Sequence, residues 1–370
     1  MIWPTGALAG ILLHVAQAAR FKKGQVLDLD KIKRLREKYA DAKGGDIFDP
    51  GFRKVADLLF SDSGNRSLPY GGIPTLLDAK YSENLDEVDI GLIGVPMDLG
   101  VTNRNGARFG PRAVRTMERI GPYHHVHKVV PSADRRVADL GDVPFRSRFD
   151  LATCMEDVES HYRKLRDAKV RPLSVGGDHS ITYPILKALG ANEPLACVHI
   201  DAHCDTSGEY DQSKFHHGGP FRLAVLDGVL DPDRTIQIGI RGNAEFLWEF
   251  SYEAGMTVVH IEEFQAMGVA AVIEKAREVV GDGPVYVSFD VDGIDPGYAP
   301  GTGTPEVGGL TPREAQALLQ GLAGLNVVGG DVVEIAPQYD ATTNTVQVGA
   351  QMIFEILALM TLNENWQGGE

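Results

Sequence analysis

An α/β fold is what this sequence predicts: a central parallel sheet covered by helices on both faces, a three-layer α/β/α sandwich. Two observations carry the expectation. Short apolar runs alternate with helix-length stretches through most of the chain, the rhythm of parallel strands joined by crossover helices. Two of the runs, at 195–201 and from Val285, are apolar on both sides and end in acids, as strands of a fully covered parallel sheet do when a site lies at their carboxyl ends.

Taken in order, residues 1–20 hold an apolar patch at 7–15 and an Ala16-Gln17-Ala18 that resembles a signal-cleavage site. No basic segment precedes it and it is short for a membrane span, so export is not expected. Residues 27–42 place Leu29, Ile32, Leu35 and Tyr39 at helical spacing against a charged face, an amphipathic helix. Pro69-Tyr-Gly-Gly-Ile-Pro at 69–74 forms a stiff turn. Residues 1–85 are therefore read as an N-terminal extension and 86–370 as the catalytic domain. Strands are expected near 88–95, at 172–175, 195–201, 235–240 and 257–261, and again from Val285 and Val327. Helices are expected near 111–119, at 151–169, near 182–189, at 244–254, 269–280 and 312–322, and from about 345 to 362.

The chain of 370 residues is 43% hydrophobic and 24% charged, enough for one large core. A formal charge of −15 opposes nucleic-acid binding and favours attraction of cationic substrates. Cys154, Cys197 and Cys204 are too few and odd in number for a disulfide framework, which indicates a reducing cytoplasm.

The chemistry concentrates at 199–205, where Asp201, His203 and Asp205 occupy every second position. In an extended strand such residues share one side, a metal-ligand spacing. Asp290 and Asp292 repeat the pattern after the Val285 run. Four aspartates and at least one histidine suggest two divalent cations sharing a bridging ligand, an arrangement that activates water. A third piece, Leu-Ser-Val-Gly-Gly-Asp-His-Ser at 173–180, places His179 after a strand and a glycine turn, with Asp178 as a helix N-cap. His199 has the ligands' parity but lies one step deeper, as a core histidine. Cys204 should point away from the ligands and pack. Asp295, before Pro296, reads as a turn residue. His124, His125 and His127 lack neighbouring acids and are read as surface or subunit contact.

Gly-Gly-Asp-His-Ser at 176–180, Asp-Ala-His-Cys-Asp at 201–205 and Ser-Phe-Asp-Val-Asp-Gly-Ile-Asp-Pro at 288–296 resemble the three metal signatures of the ureohydrolase family, which includes arginase, agmatinase, guanidinobutyrase and guanidine hydrolase. The match runs from about Asp86 to Leu362 and falls in the agmatinase-like branch, closest in feel to guanidine hydrolase and guanidinobutyrase. The resemblance implies an arginase-like fold, a hexamer or trimer, and two divalent ions, manganese or nickel, held by His179, Asp201, His203, Asp205, Asp290 and Asp292. It also marks His217 as the histidine beside the scissile bond and Glu334 as the carboxylate that receives a guanidinium. The preceding His216 departs from the pattern and reads as a donor behind the site, a wall of the substrate pocket or, by default, an exposed loop residue. Glu334 closes an apolar strand, where an unpaired acid is costly; its partner is the substrate or an arginine elsewhere in the fold. Loop 300–305 is placed beside the pocket.

The implied reaction is hydrolysis at a guanidino carbon, releasing urea and an amine, or ammonia from guanidine. Asp205 would orient the water and His217 would protonate the departing nitrogen. Where arginases carry an asparagine to read the amino-acid end, this chain has Ser207, which disfavours arginine. The long N-terminal arm and residues 97–104 look more like the guanidine hydrolase and guanidino-acid branches. Guanidine or another small guanidino compound is the leading expectation, followed by guanidinobutyrate, agmatine and a biguanide such as metformin. A formiminoglutamase-like hydrolase and a silent subunit paired with an active paralogue are the rival classes.

Overall fold

The computed structural model describes residues 28–43, 46–60, 71–117 and 122–363; the expectations for 1–27 lie outside them. The chain divides into two compact units, Met1–Asp62 and Ser63–Glu370.

In the first unit, helix α1 (Leu29–Tyr39) falls within the expected span. Asp28 caps it, accepting the Lys31 N–H at 2.9 Å, which satisfies one free donor of the first turn. None of its residues is buried. Tyr39 packs edge-on against Phe48, ring centres 5.2 Å apart. Helix α2 spans Arg53–Phe60.

The second unit is built on nine strands: β1 (Lys80–Tyr81), β2 (Ile90–Gly94), β3 (Val137–Asp142), β4 (Arg171–Val175), β5 (Leu195–Ile200), β6 (Leu230–Ile240), β7 (Thr257–His260), β8 (Val285–Asp290) and β9 (Val327–Val333). All adjacent pairs are parallel, in the order β1-β3-β2-β4-β9-β8-β5-β6-β7. Helices α3 (Gly110–Arg115), α4 (Pro131–Asp134), α5 (Leu151–Asp167), α6 (Thr182–Leu189), α7 (Pro220–Leu226), α8 (Glu249–Ala254), α9 (Ile261–Met267), α10 (Val269–Val280), α11 (Pro312–Gln320) and α12 (Asn344–Thr361) connect or follow them.

Alternation along the strands splits the core into two layers. Leu173, Val198, Val287 and Phe289 pack on one face with α10, α11 and α12 residues such as Val272, Leu318 and Ile356. Ile93, Cys197, Tyr286 and Val333 pack on the other with Val158 and Tyr162 of α5 and Ile185 of α6. Both faces are dry, so the three-layer expectation holds.

Several boundaries differ from those expected. The sheet begins before residue 86: β1 pairs with β3, and Leu76 is wholly buried. β3 escaped notice because its Val-Ala-Asp-Leu-Gly-Asp is only half apolar. The expected 244–254 helix is a 3₁₀ turn, Glu245–Leu247, followed by α8. β6 starts five residues earlier than 235, and α3 stops at Arg115. Helices α4, α7 and α9 are additional. Cys154, Cys197 and Cys204 are buried free thiols. Among the described residues no helix is long and apolar enough to cross a membrane.

The central strands β4, β9, β8 and β5 are consecutive in the sheet, so the turns after their carboxyl ends meet at one place, where such sheets bind ligands. The turn after β4 leaves no room for side chains: a Cβ on Gly177 would lie 1.7 Å from the Met97 carbonyl oxygen. Gly177→Ala must push that main chain aside, and we expect a loss of about 3 kcal/mol in denaturant unfolding; an unchanged midpoint would refute the close approach.

Candidate active site

Asp201, His203 and Asp205 do meet, but not by strand alternation. β5 ends at Ile200, and residues 201–205 form a loop in which Asp205 is left-handed, φ 52°. The aspartates fold these turns themselves. Asp201 Oδ1 accepts the His203 N–H at 2.6 Å, and Asp290 Oδ1 accepts the Asp292 N–H at 2.8 Å. Asp178 accepts the Ser180 N–H at 2.9 Å as the expected cap.

His179 Nδ1 lies 3.1 Å from Asp201 Oδ2, 2.9 Å from Asp205 Oδ2 and 3.3 Å from Asp290 Oδ2. His203 Nδ1 lies 3.4 Å from Asp201 Oδ1 and 3.2 Å from Asp292 Oδ2. Asp201 thus offers one oxygen to each half. Yet His179 Nδ1 is buried with no hydrogen-bond partner among the described residues. Two ligands about 2.1 Å from an ion and at right angles stand about 3 Å apart, the spacing seen here. The donor set, carboxylates with two imidazoles, fits a pair of divalent ions.

Charge tells the same story. Burial, then the Asp292 and Asp201 carboxylates, holds the Asp290 carboxyl well above the usual range, and burial with Asp201 pushes Asp292 up to about 6. Burial opposes the charged form of Asp201, but His199, His179 and His203 hold its carboxyl well below the usual range. Burial also disfavours a charged His179, yet Asp201, Asp205 and Asp290 raise its proton affinity well above that of a free imidazole. Without cations, protons do part of the neutralising.

One step below the cluster runs a polar row of which the sequence pointed only to His199. Gln237, His199, Ser288, Asp331 and Ser174 are register partners across β6, β5, β8, β9 and β4, and each side chain is buried. Ser288 Oγ donates to Asp331 Oδ1 at 2.7 Å. A hydroxyl has one proton to give, so the His179 Nε2, 2.9 Å from Ser288 Oγ, is the donor of that pair. With Nε2 so engaged, Nδ1 is the ring nitrogen turned toward the carboxylates, the one a bound ion would take in place of its proton. Asp331 Oδ2 also accepts from Tyr286 at 2.8 Å and Thr182 at 2.7 Å. His199 Nδ1 sits 3.0 Å from the Gln237 amide nitrogen and its Nε2 donates to Asp201 Oδ2 at 2.8 Å, the core role expected. The parity was readable; the partners were not, because Ser, Gln and Asp in apolar strands carry no motif.

Glu334 follows β9 with φ 62°, a left-handed conformation that costs a bulky residue roughly 1–3 kcal/mol and concentrates at functional sites. Its Oε1 accepts the His179 N–H at 2.9 Å and faces His217 Nδ1 at 3.0 Å. Its Oε2 is buried without a hydrogen-bond partner among the described residues, so no arginine bonds that oxygen. A Cβ on Gly303 would come within 3.5 Å of Oε2, which puts loop 300–305 beside it as expected. Burial disfavours a charged His217, but Glu334, Asp205 and Asp178 push it up to about 9.

The remaining residues stand as follows. Ser207 is half-buried, its N–H on the Gly218 carbonyl at 2.8 Å. His216 is not an exposed loop residue: it is buried, and its Nε2 donates to the Gly208 carbonyl at 2.7 Å. His124 is not surface either; it is buried and bonds Glu355 at 2.7 Å, a partner too distant in sequence to foresee. Asp295 accepts N–H groups of Gly297, Gly308 and Gly309, the expected turn role. Cys204 packs with Ile240 and Trp248.

A family model described as the arginase family matches residues 88–359. Guanidinopropionase of Pseudomonas aeruginosa is 49% identical over 295 residues, 79% of this chain and 92% of that protein. Guanidinobutyrase of the same organism is 40% identical over 304 residues, covering 80% and 95%. The solved proclavaminate amidino hydrolase of Streptomyces clavuligerus superposes with a TM-score of 0.76 at 36% identity, covering 80% of this chain and 99% of that one. The fold and site define a hydrolase of arginase-like architecture, acting on carbon–nitrogen bonds. More particularly, the chain belongs to the arginase family, on its agmatinase-like side.

Two outcomes are expected from this geometry. Ser288→Ala should weaken divalent-metal binding about tenfold, the lower range for a lost partner of a ligand histidine; calorimetry showing equal affinity would remove the Ser288–Asp331 role. Because Asp292 sheds its proton only as pH rises past about 6, metal affinity should fall as pH drops from 7.5 to 5.5, with protons released on binding. Affinity that is flat across that window would contradict the shared neutralisation.

Proposed function

We propose that this protein hydrolyses a small guanidino compound to urea and an amine, with two divalent ions, manganese or nickel, bound by His179, Asp201, His203, Asp205, Asp290 and Asp292. The observation that supports it most is Glu334 Oε2, an acceptor held in a strained, buried position with no partner of its own. A planar guanidinium brings N–H donors and a positive charge to such an oxygen. When bound, the ion pair supplies an activated water.

The chain's own residues do the rest. Glu334 orients the guanidinium carbon toward the cluster through its link to the His179 main chain. Asp205, half-buried beside His179, orients the attacking water. His217, whose proton affinity is raised by Glu334 despite burial, carries a proton at its ring and releases it to the departing nitrogen. Ser207 and His217 border the substrate.

Short ω-guanidino acids are the substrates best supported, since guanidinopropionase and guanidinobutyrase are among the relatives. Free guanidine is a second reading, favoured by the resemblance of residues 97–104 to guanidine hydrolases. Urea release from guanidine, guanidinopropionate, guanidinobutyrate, agmatine, arginine and metformin, with manganese and with nickel, separates these. Glu334→Gln should keep its metal and lose at least about a hundredfold in kcat/KM, whereas Asp290→Asn should lose metal and turnover together. A glutamine variant as fast as the parent would end the anchoring role, and formamide in place of urea would end the guanidino reading.

A further inference from the structure

The loop between β2 and α3 grips His217 at two points. The His217 N–H donates to the Gly100 carbonyl at 2.9 Å. Its ring Nε2 faces Thr102, whose main-chain N–H lies at 3.2 Å and whose Oγ1 lies at 2.7 Å. The loop is itself fastened: the Gly100 N–H donates to Asp178 at 2.8 Å, the Asn103 amide to the Gly303 carbonyl at 3.3 Å, and the Gly106 N–H to Asp98 at 2.6 Å.

A main-chain N–H can only donate, so it suits a bare Nε2 with the ring proton on Nδ1, toward Glu334 Oε1. A histidine that passes a proton must also exist with Nε2 protonated. The Thr102 hydroxyl suits both forms, donating to the bare nitrogen and, after rotating, accepting from the protonated one. We propose that Thr102 is a positioning residue, keeping the His217 ring aligned on Glu334 through both of its protonation states. The inference deepens the guanidino-hydrolase reading and rests on it.

Metal-loaded parent, Thr102→Val and Thr102→Ser are compared by steady-state urea release on the guanidino compound the parent turns over fastest, with bound metal and thermal melting measured alongside. Valine keeps the shape and removes the hydroxyl; misplacing a proton-transfer group costs one to two powers of ten. We expect Thr102→Val to lose at least about tenfold in kcat, with KM within about threefold and metal content unchanged, and Thr102→Ser to stay within about threefold of the parent in both. A valine variant with parental kcat overturns the inference, as does a serine variant that falls as far as valine. Should Thr102→Val melt early, Thr102→Ala is read against the same limits. A parent that releases no urea from any compound sinks the hydrolase reading itself, a result distinct from an active parent whose valine variant keeps pace.

Discussion

Four aspartates and two histidines, with ligand atoms as little as 2.9 Å apart in a place largely closed to water, cannot all carry their usual charge. Everything nearby follows from that constraint. Their negative charge must be met by protons or cations, because isolated buried carboxylates are too costly to leave bare. Asp201 stays ionised because three imidazoles surround it, while Asp290 and Asp292 hold protons longer. Such a site is suited to giving up protons to a cation.

The sheet supplies rigidity to match. Each turn that carries a ligand is anchored by the strand before it, and the row from Gln237 to Ser174 fixes the rings of His179 and His199 from beneath. Strain at this site falls on two of the residues proposed for its chemistry: Asp205 and Glu334 both adopt positive φ. For Glu334 the consequence is directional, since one oxygen is tied to His179 and His217 while the other is left for a ligand.

Much of this was legible in the amino-acid sequence. The six proposed ligands lie in three short segments in which acids and histidines crowd against glycine turns, a crowding that a folded chain tolerates where cations neutralise it. The two-sided burial of β5 and β8 was legible for a similar reason, because a strand covered on both faces is apolar at most of its positions. Strand alternation gives the right grouping of ligands for the wrong cause: β5 stops before Asp201, and Asx turns rather than a strand bring the acids round. What stayed hidden depends on pairs far apart in the chain. His124 with Glu355, Ser288 with Asp331 and Thr102 with His217 are single polar residues whose partners only register and loop closure select. Likewise β3, half apolar and half-buried, offers too weak a pattern.

The strand order has an implication for how the molecule comes together. β4 is paired with β2 and β9, and β8 with β5 and β9, so β9 is the seam between β1-β3-β2-β4 and β8-β5-β6-β7. His179 belongs to the first block, and all four ligand aspartates belong to the second. Only with residues 327–333 seated between the blocks does the histidine reach its aspartates. The acidic cluster and the histidine it surrounds are therefore joined through a single strand, and whatever loosens β9 separates them.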